Sequence, residues 1–398
     1  MGDVGAVSRP SPWRQRHRIL FVIESLGAAG AEYALLTLGR ELHGRGHAVH
    51  VAVLAPPYDL CADFESAGLV VHRLERGRAR GAAELARLTR ALDATVVHAH
   101  LFWAGALTAL SGSLARGPAR IATFHNLGYS SYPPVTLRRK LRRAGDRFAM
   151  RHGMDGWVAV SSAVARHYGE HLGLTPIRVI PNPLDLPALD RHAHTDPAGV
   201  RRRHGLPQDR PVIVCAATLR PEKGHSVLLA ALARLRAQGL KAVTVLAGHG
   251  PLRAPIEQQI AALGLGPEVR LLGRLPRDAL LDLLGAADLA VLSSLHEGLS
   301  MSAAESIALG TPVVASKTGG LEDIVEEGST GLLVRPGDPD ALATALARAL
   351  IDAPWEQVLS PSVLAPLRDR LASPAVAQAH ESLYTALARR RELATARA

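Results

Sequence analysis

The sequence predicts an α/β protein made of two doubly wound parallel-sheet domains facing each other across a central cleft. Three observations predict it. At 398 residues the chain is long enough for two domains. Short apolar runs alternate with segments of helical spacing, the rhythm of a parallel sheet covered by helices on both faces. That rhythm stops near residue 180, in a stretch broken by prolines, and restarts at residue 211.

Taken in order, residues 1–17 are polar, rich in proline and arginine, and lack the apolar stretch of a signal peptide, so they read as a loose leader. Residues 18–24 (RILFVIE) suit a strand buried on both faces. Gly27 and Gly30 interrupt it, and residues 31–42 follow with Leu35, Leu38 and Leu42 on one helical face. Further strands are expected at 47–54, 69–74, 95–99, 120–124 and 156–160, which makes 18–187 the first domain. Pro181, Pro183 and Pro187 are breakers, and the polar stretch 188–210 reads as the hinge. Strands at 211–217, 242–247, 269–272, 288–292, 312–315 and 331–334 alternate with helices in a second domain, 211–365. Residues 366–398, rich in Ala, Leu and Arg, form a helical tail.

Composition narrows the class. Hydrophobic residues at 47% and charged residues at 21% describe an ordinary soluble globular chain. Cys61 and Cys215 are far apart, with neither disulfide nor zinc spacing, and read as lone thiols of a reducing, cytoplasmic compartment. No apolar run reaches the ~18 residues of a membrane span. A formal charge of +10 favours anionic ligands. Nucleic acid is not expected, because no recognition module or aromatic interleaving accompanies the charge.

Ligands of open α/β sheets bind beyond the carboxyl ends of strands, so the loops after strands are the places to inspect. Glu297 ends such a loop, beside Gly298, a residue that permits unusual backbone angles. Ser300 caps the helix that follows, whose first N–H groups, from Ser300 and Met301, suit a phosphate. Glu305 falls on its second turn, where a carboxylate suits a diol. Arg220 and Lys223, beside Gly224, are placed to grip a diphosphate. Gly248 and Gly250 form a further tight turn. Each has a bland alternative: a solvated helix face or an ordinary turn. The turn from Gly27 to Gly30 is not G-x-G-x-x-G, and no acid ends the next strand, which excludes a nicotinamide dehydrogenase as first choice. Gly30 instead lets backbone approach a sugar or phosphate. His98, His100 and His125 follow or end strands; without a nearby carboxylate or thiolate they make no metal site. Asp338 and Asp340 have a metal-dyad spacing, but after Gly337 they read as a helix cap and first-turn acid.

Residues 137–152 carry Leu137, Leu141, Ala144 and Phe148 at helical spacing. Seven basic residues (Arg138, Arg139, Lys140, Arg142, Arg143, Arg147, Arg151) surround them, against the single acid Asp146. Such a helix either packs its apolar stripe on the first domain or rests on an anionic membrane surface, with Arg138, Arg139, Arg142 and Arg143 as the contacts.

The second half resembles the donor domain of the family 4 glycosyltransferases. The resemblance rests on Arg220-Pro-Glu-Lys223-Gly224, Gly248-His-Gly250-Pro251, the E-x7-E spacing of Glu297 and Glu305, Gly310-Thr-Pro312 and Gly319-Gly320. In the first half, Gly30-Ala-Glu32, Val160-Ser-Ser162 and Asn182-Pro183-Leu-Asp185 match, so that the likeness covers about 18–350. Ala29, Ser300 and Asn126 depart from the family's usual residues. The resemblance implies a GT-B fold of two Rossmann-like domains and transfer from a nucleotide-sugar donor with retained anomeric configuration. No cofactor and no metal are implied. By the same analogy Glu297 meets donor-sugar hydroxyls, Glu305 holds the ribose, Arg220 and Lys223 stabilise the leaving diphosphate, and Ser300 and Met301 N–H groups contact phosphate. Gly30, Gly248 and the backbone near Leu275 complete the donor site, and His125 lies near the reacting sugar. The expected donor is a UDP-sugar, with GDP-mannose second. The expected acceptor is a lipid-linked or other glycan in cell-surface glycoconjugate assembly, taken at the inner face of the plasma membrane. Alternatives are a small soluble acceptor, a phosphorylase using inorganic phosphate or an epimerase of the same fold, and a non-catalytic carbohydrate-binding or membrane-surface module.

Overall fold

The computed structural model describes residues 16–74, 77–112, 117–129, 137–351, 355 and 359–396. The first sheet contains β1 (Arg18–Ile23), β2 (Ala48–Val53), β3 (Val70–Arg73), β4 (Val96–His100), β5 (Ala119–Phe124), β6 (Gly156–Ala159) and β7 (Ile177–Val179). The second contains β8 (Val212–Ala216), β9 (Val243–Ala247), β10 (Val269–Gly273), β11 (Leu289–Leu292), β12 (Val313–Ser316) and β13 (Gly331–Val334). Their orders are β3-β2-β1-β4-β5-β6-β7 and β10-β9-β8-β11-β12-β13, and the pairings are parallel. The central strands are apolar along their whole length because helices cover both faces; Ile19 through Ile23 are fully buried. β7, only three residues long and largely exposed at the sheet's edge, has no such run, and the apolar pattern alone does not single it out.

The winding reverses between β1 and β4 and between β8 and β11. Crevices form at such reversals, because the loops leaving the two neighbouring strands turn to opposite faces of the sheet. The loops carrying Gly30, Lys223 and Glu297 follow β1, β8 and β11, so each belongs to a reversal point.

The polar stretch read as a hinge folds into two short helices. Leu186–His192 starts at Asp185, whose carboxylate accepts from the Ala188 N–H, and Pro197–Arg203 starts at Asp196, which accepts from Ala198 and Gly199. Pro at the first helical turn suits both starts. They dock on the second half: His192 Nδ1 lies 2.7 Å from Asp282, Arg203 2.9 Å from Asp282, and Arg201 2.8 Å from Asp288.

The tail also has a definite place. Helix Pro361–Leu371 returns across the second half, and helix Ser373–Ala396 lies against the first sheet. Val376, Ala377, Leu383 and Tyr384 are buried with Phe21, Val51 and Val96. Glu381 ties the helix down, 3.0 Å from Arg45 and 2.9 Å from His47. The end of the chain is therefore a layer of its beginning. No helix among the described residues is long and apolar enough to cross a membrane.

Candidate functional site

A cavity of about 300 Å³ lies between the halves. It is lined from the first half by residues 28–31, Tyr33, His125 and Asn182. From the second it is lined by Lys223, Gly248, Leu275, Arg277, Glu297, Ser300, Met301 and Glu305, among others. Nine of the ten residues singled out for catalysis or donor contact thus share one cavity. Arg220 is the exception: it is exposed, stands before the 3-10 turn Pro221–Lys223, and is not among the lining residues.

The loops after β8 and β11 are fastened together, the Leu295 N–H donating to the Glu222 carbonyl at 2.8 Å and Ser293 Oγ to the Lys223 carbonyl at 3.0 Å. This sets Lys223 Nζ 2.6 Å from Glu297 Oε2, which also accepts from Ser294 Oγ at 3.1 Å. Glu297 is only 8% exposed, and these two contacts fix its carboxylate in the cleft.

Gly298 is required for a reason other than a special backbone angle, since it is not among the glycines with positive φ. A Cβ there would meet the His125 carbonyl oxygen at 1.9 Å. Gly298 therefore lets the donor-half loop press on the first half. Gly30 is less tightly constrained: a Cβ would lie 3.2 Å from Cγ of the flexible Met301 side chain, where the start of helix Gly30–Gly44 meets the start of helix Met301–Ala308.

Ser300 caps helix Met301–Ala308, its Oγ accepting from the Ala303 N–H. The Ala304 N–H donates to the Ser300 carbonyl. The remaining first-turn donors, Met301 and Ser302 N–H, have no intrahelical partner by helix geometry and belong to cavity-lining residues. Gly248 packs against the Ala217 carbonyl, where no side chain fits.

Arg277 was not legible in the sequence. Its guanidinium clasps both oxygens of the buried Glu305, Nη1 to Oε2 at 3.0 Å and Nη2 to Oε1 closer still. Burial by itself disfavours the Arg277 cation, but Glu305 outweighs it and holds the charge in place. The same guanidinium lies 4.9 Å over the Tyr33 ring of the first half. Beside it Arg274 reaches Asp59 of the first half at 2.8 Å. The only sequence signal was position: both arginines flank Leu275, just after β10.

His125 Nε2 lies 3.0 Å from His100 Nδ1. Burial lowers the His125 pKa to about 4, with the Asn182 side chain working in the opposite direction, so the ring is neutral near pH 7. His98 is fully buried, with Nδ1 2.7 Å from Tyr384 OH and Nε2 2.6 Å from Thr123 Oγ1. Asp338 accepts from the Asp340 and Ala341 N–H groups, as a helix cap does, and Asp340 pairs with Arg234.

Residues 28–187 match the family model described as Glycosyltransferase Family 4, and residues 199–362 match that described as Glycosyl transferases group 1. The D-inositol 3-phosphate glycosyltransferase of Geodermatophilus obscurus is 30% identical over 362 residues, 81% of this chain and 78% of the relative. The alpha-D-kanosaminyltransferase of Streptomyces kanamyceticus is 28% identical over 351 residues, 83% of this chain and 89% of the relative. Among solved structures, HepE of Anabaena in complex with UDP and glucose superposes with a TM-score of 0.80 at 21% identity. The match covers 93% of this chain and all of that one. The fold is therefore GT-B, and the chain belongs to the family 4 glycosyltransferases.

Proposed function

We propose that the cleft binds a nucleoside diphosphate sugar and transfers its sugar with retained configuration, without a metal ion. The observation that carries this reading is the Lys223–Glu297 pair, set beside the open N-terminus of helix Met301–Ala308 in one cavity. When the bond from the anomeric carbon to the diphosphate breaks, negative charge develops on the diphosphate. A fixed ammonium and oriented N–H groups stabilise that charge without reorganising, the task a divalent cation performs elsewhere. Glu297 then faces the sugar, and Glu305, steadied by Arg277, faces the ribose. A UDP-sugar is the favoured donor, in line with the UDP complex of HepE. GDP-mannose is the second, in line with a relative described as a GDP-mannose-dependent mannosyltransferase. The test is a panel of nucleotide sugars scored by nucleotide release with excess EDTA present. One donor should be turned over at an unchanged rate, and the anomeric coupling in the product should match that of the donor. A strict Mg²⁺ or Mn²⁺ requirement, or inversion, refutes the reading; sugar phosphate formed from inorganic phosphate makes the protein a phosphorylase.

A specific observation favours a membrane-borne acceptor, lipid-linked or part of a growing glycan. On helix Leu137–Gly153 the stripe residues Leu141 and Phe148 are 66% and 67% exposed, and Trp103 beside them is 43% exposed. Packing of the stripe against the first half therefore does not account for it, although Met150 on the same helix is buried. Not all of the basic flank is free: Arg143 donates to the His171 carbonyl at 2.7 Å, and Arg142 stacks on Trp103 and lies 3.7 Å from Asp146. The side chains of Arg138 and Arg139 lie outside the described residues. Each basic group near an anionic surface contributes about 1 kcal/mol at most. The protein should co-sediment with anionic but not neutral liposomes at low salt, and Leu141→Asp/Phe148→Asp should abolish this. Indifference of the wild type to anionic liposomes makes a small soluble acceptor the better reading.

A further inference from the structure

The first half meets the second along one side of a single helix. On helix Gly30–Gly44, Gly30, Tyr33 and Arg40 share a face by helical spacing. Gly30 lies against Met301, and Tyr33 carries the Arg277 guanidinium 4.9 Å over its ring. Arg40 pairs with Asp185, the cap of helix Leu186–His192, which docks on the second half. Arg274 adds a contact beside them, 2.8 Å from Asp59.

Asp59 stands on a fixed platform. Its loop, which follows β2, is tied to the loop after β1 by two backbone hydrogen bonds. The Leu26 N–H donates to the Pro57 carbonyl at 2.9 Å, and the Leu60 N–H to the Leu26 carbonyl at 3.0 Å. Arg73 stacks on the neighbouring Tyr58 ring at 4.6 Å. Asp59 is not among the residues that line the cavity, whereas Arg274 and Arg277 are. Its carboxylate therefore acts on the cleft through Arg274. Arg277 serves both halves for a different reason. A guanidinium is planar, so its edge grips a carboxylate while its face stays free to stack. Here the edge holds Glu305 and the face meets Tyr33. Parting the halves at this end would strip Arg277 of its aromatic face and Arg274 of its carboxylate.

We propose that Asp59 and Tyr33 are positioning residues of the first half that clasp Arg274 and Arg277, so that the nucleotide end of the cleft is held closed from both sides and binds a nucleoside diphosphate more tightly. Nucleotide affinity is then a property of both halves, and a substitution at Asp59 changes it without touching the ligand. The nucleotide rests on the donor reading of the cleft; the clasp between the halves does not.

A charge swap separates the two. Arg274 and Asp59 are 42% and 38% exposed, so reversing either leaves no buried charge behind. Asp59→Arg and Arg274→Asp each set like charges face to face. At low salt each should weaken binding of UDP and GDP about fivefold in calorimetric titrations, the scale of a partly exposed pair. Each should also expand the ligand-free protein in small-angle X-ray scattering. The double variant Asp59→Arg/Arg274→Asp restores opposite charges. It should bring affinity back to within about twofold of wild type, the coupling expected of residues in contact, and bring back the compact scattering profile. Tyr33→Phe keeps the aromatic face and should keep the affinity, whereas Tyr33→Leu should lose about fivefold. Single reversals that move neither measurement, or a swap no better than the worse single variant, overturn the clasp. Should wild type bind no nucleotide, the donor reading fails, and scattering from the reversals and the swap still decides the clasp.

Discussion

Lys223→Ala should lower turnover by at least about a hundredfold, the usual consequence of removing one preorganised charge-stabilising donor from a site of this kind. Lys223 is not a free cation waiting for a ligand: at 2.6 Å from Glu297 Oε2 it is already held in the cleft. The pairing keeps a long, flexible side chain extended, so that under the proposed function little further ordering would be needed to meet a diphosphate. It also couples the two residues. Removing Lys223 leaves an almost buried carboxylate with Ser294 as its one partner among the described residues, and the loss combines lost charge with a displaced Glu297. Glu297→Gln should therefore cost nearly as much, and the double variant little more than the worse single, because residues acting as one unit are strongly non-additive. Effects that multiply would separate the two residues into independent jobs. Arg220→Ala belongs in the same series. Arg220 is not among the residues that line the cavity, so a smaller loss is expected there; a wild-type rate removes it from the mechanism.

Lys223, Glu297 and Ser300 could be picked from the sequence because each closes a loop directly behind an apolar strand, and such loops converge in any doubly wound sheet. The strand order, absent from the sequence, decides where they meet: the loops carrying Gly30, Lys223 and Glu297 leave the two reversals, and the loops after β5, β7, β9 and β10 join them in lining the cleft. Other features were beyond reach for a different reason. Arg277 and Glu305 are 28 residues apart and Arg274 and Asp59 are 215 apart; no local pattern joins such pairs. The tail was legible as helix from its composition but not as a layer of the first sheet, because His98 and Tyr384 meet across 286 residues. Asp185-Leu-Pro187 and Asp196-Pro197 were legible as helix starts. Pro187 was read as a breaker and Asp196-Pro197 as part of the hinge because their surroundings are polar, and that polarity is used in ion pairs to the second half.

Arg277→Ala should be the most destabilising change in the cleft. Glu305 is 1% exposed, and with Arg277 gone the described contacts leave its carboxylate without a counter-ion. Breaking a buried pair from one side costs ~3–5 kcal/mol. Arg277 is itself about a quarter exposed, so water takes part of the load and we expect about 2–3 kcal/mol, at or below the bottom of that range. For a domain of this size that is a fall in Tm of roughly 4–12 °C. Nucleotide affinity should fall as well, because the arginine both orients Glu305 and reaches over Tyr33 from the opposite half. Stability and function separate in the double variant Arg277→Met/Glu305→Leu. Replacing a buried ion pair by well-packed apolar residues of similar size is often neutral for stability, so Tm should return most of the way. Nucleotide binding should not return, because the ribose would meet neither a carboxylate nor its guanidinium clamp. Calorimetric melts and nucleotide titrations on the three proteins check this. Binding that recovers together with Tm would make the pair a stabilising contact and nothing more, and would move the ribose away from Glu305.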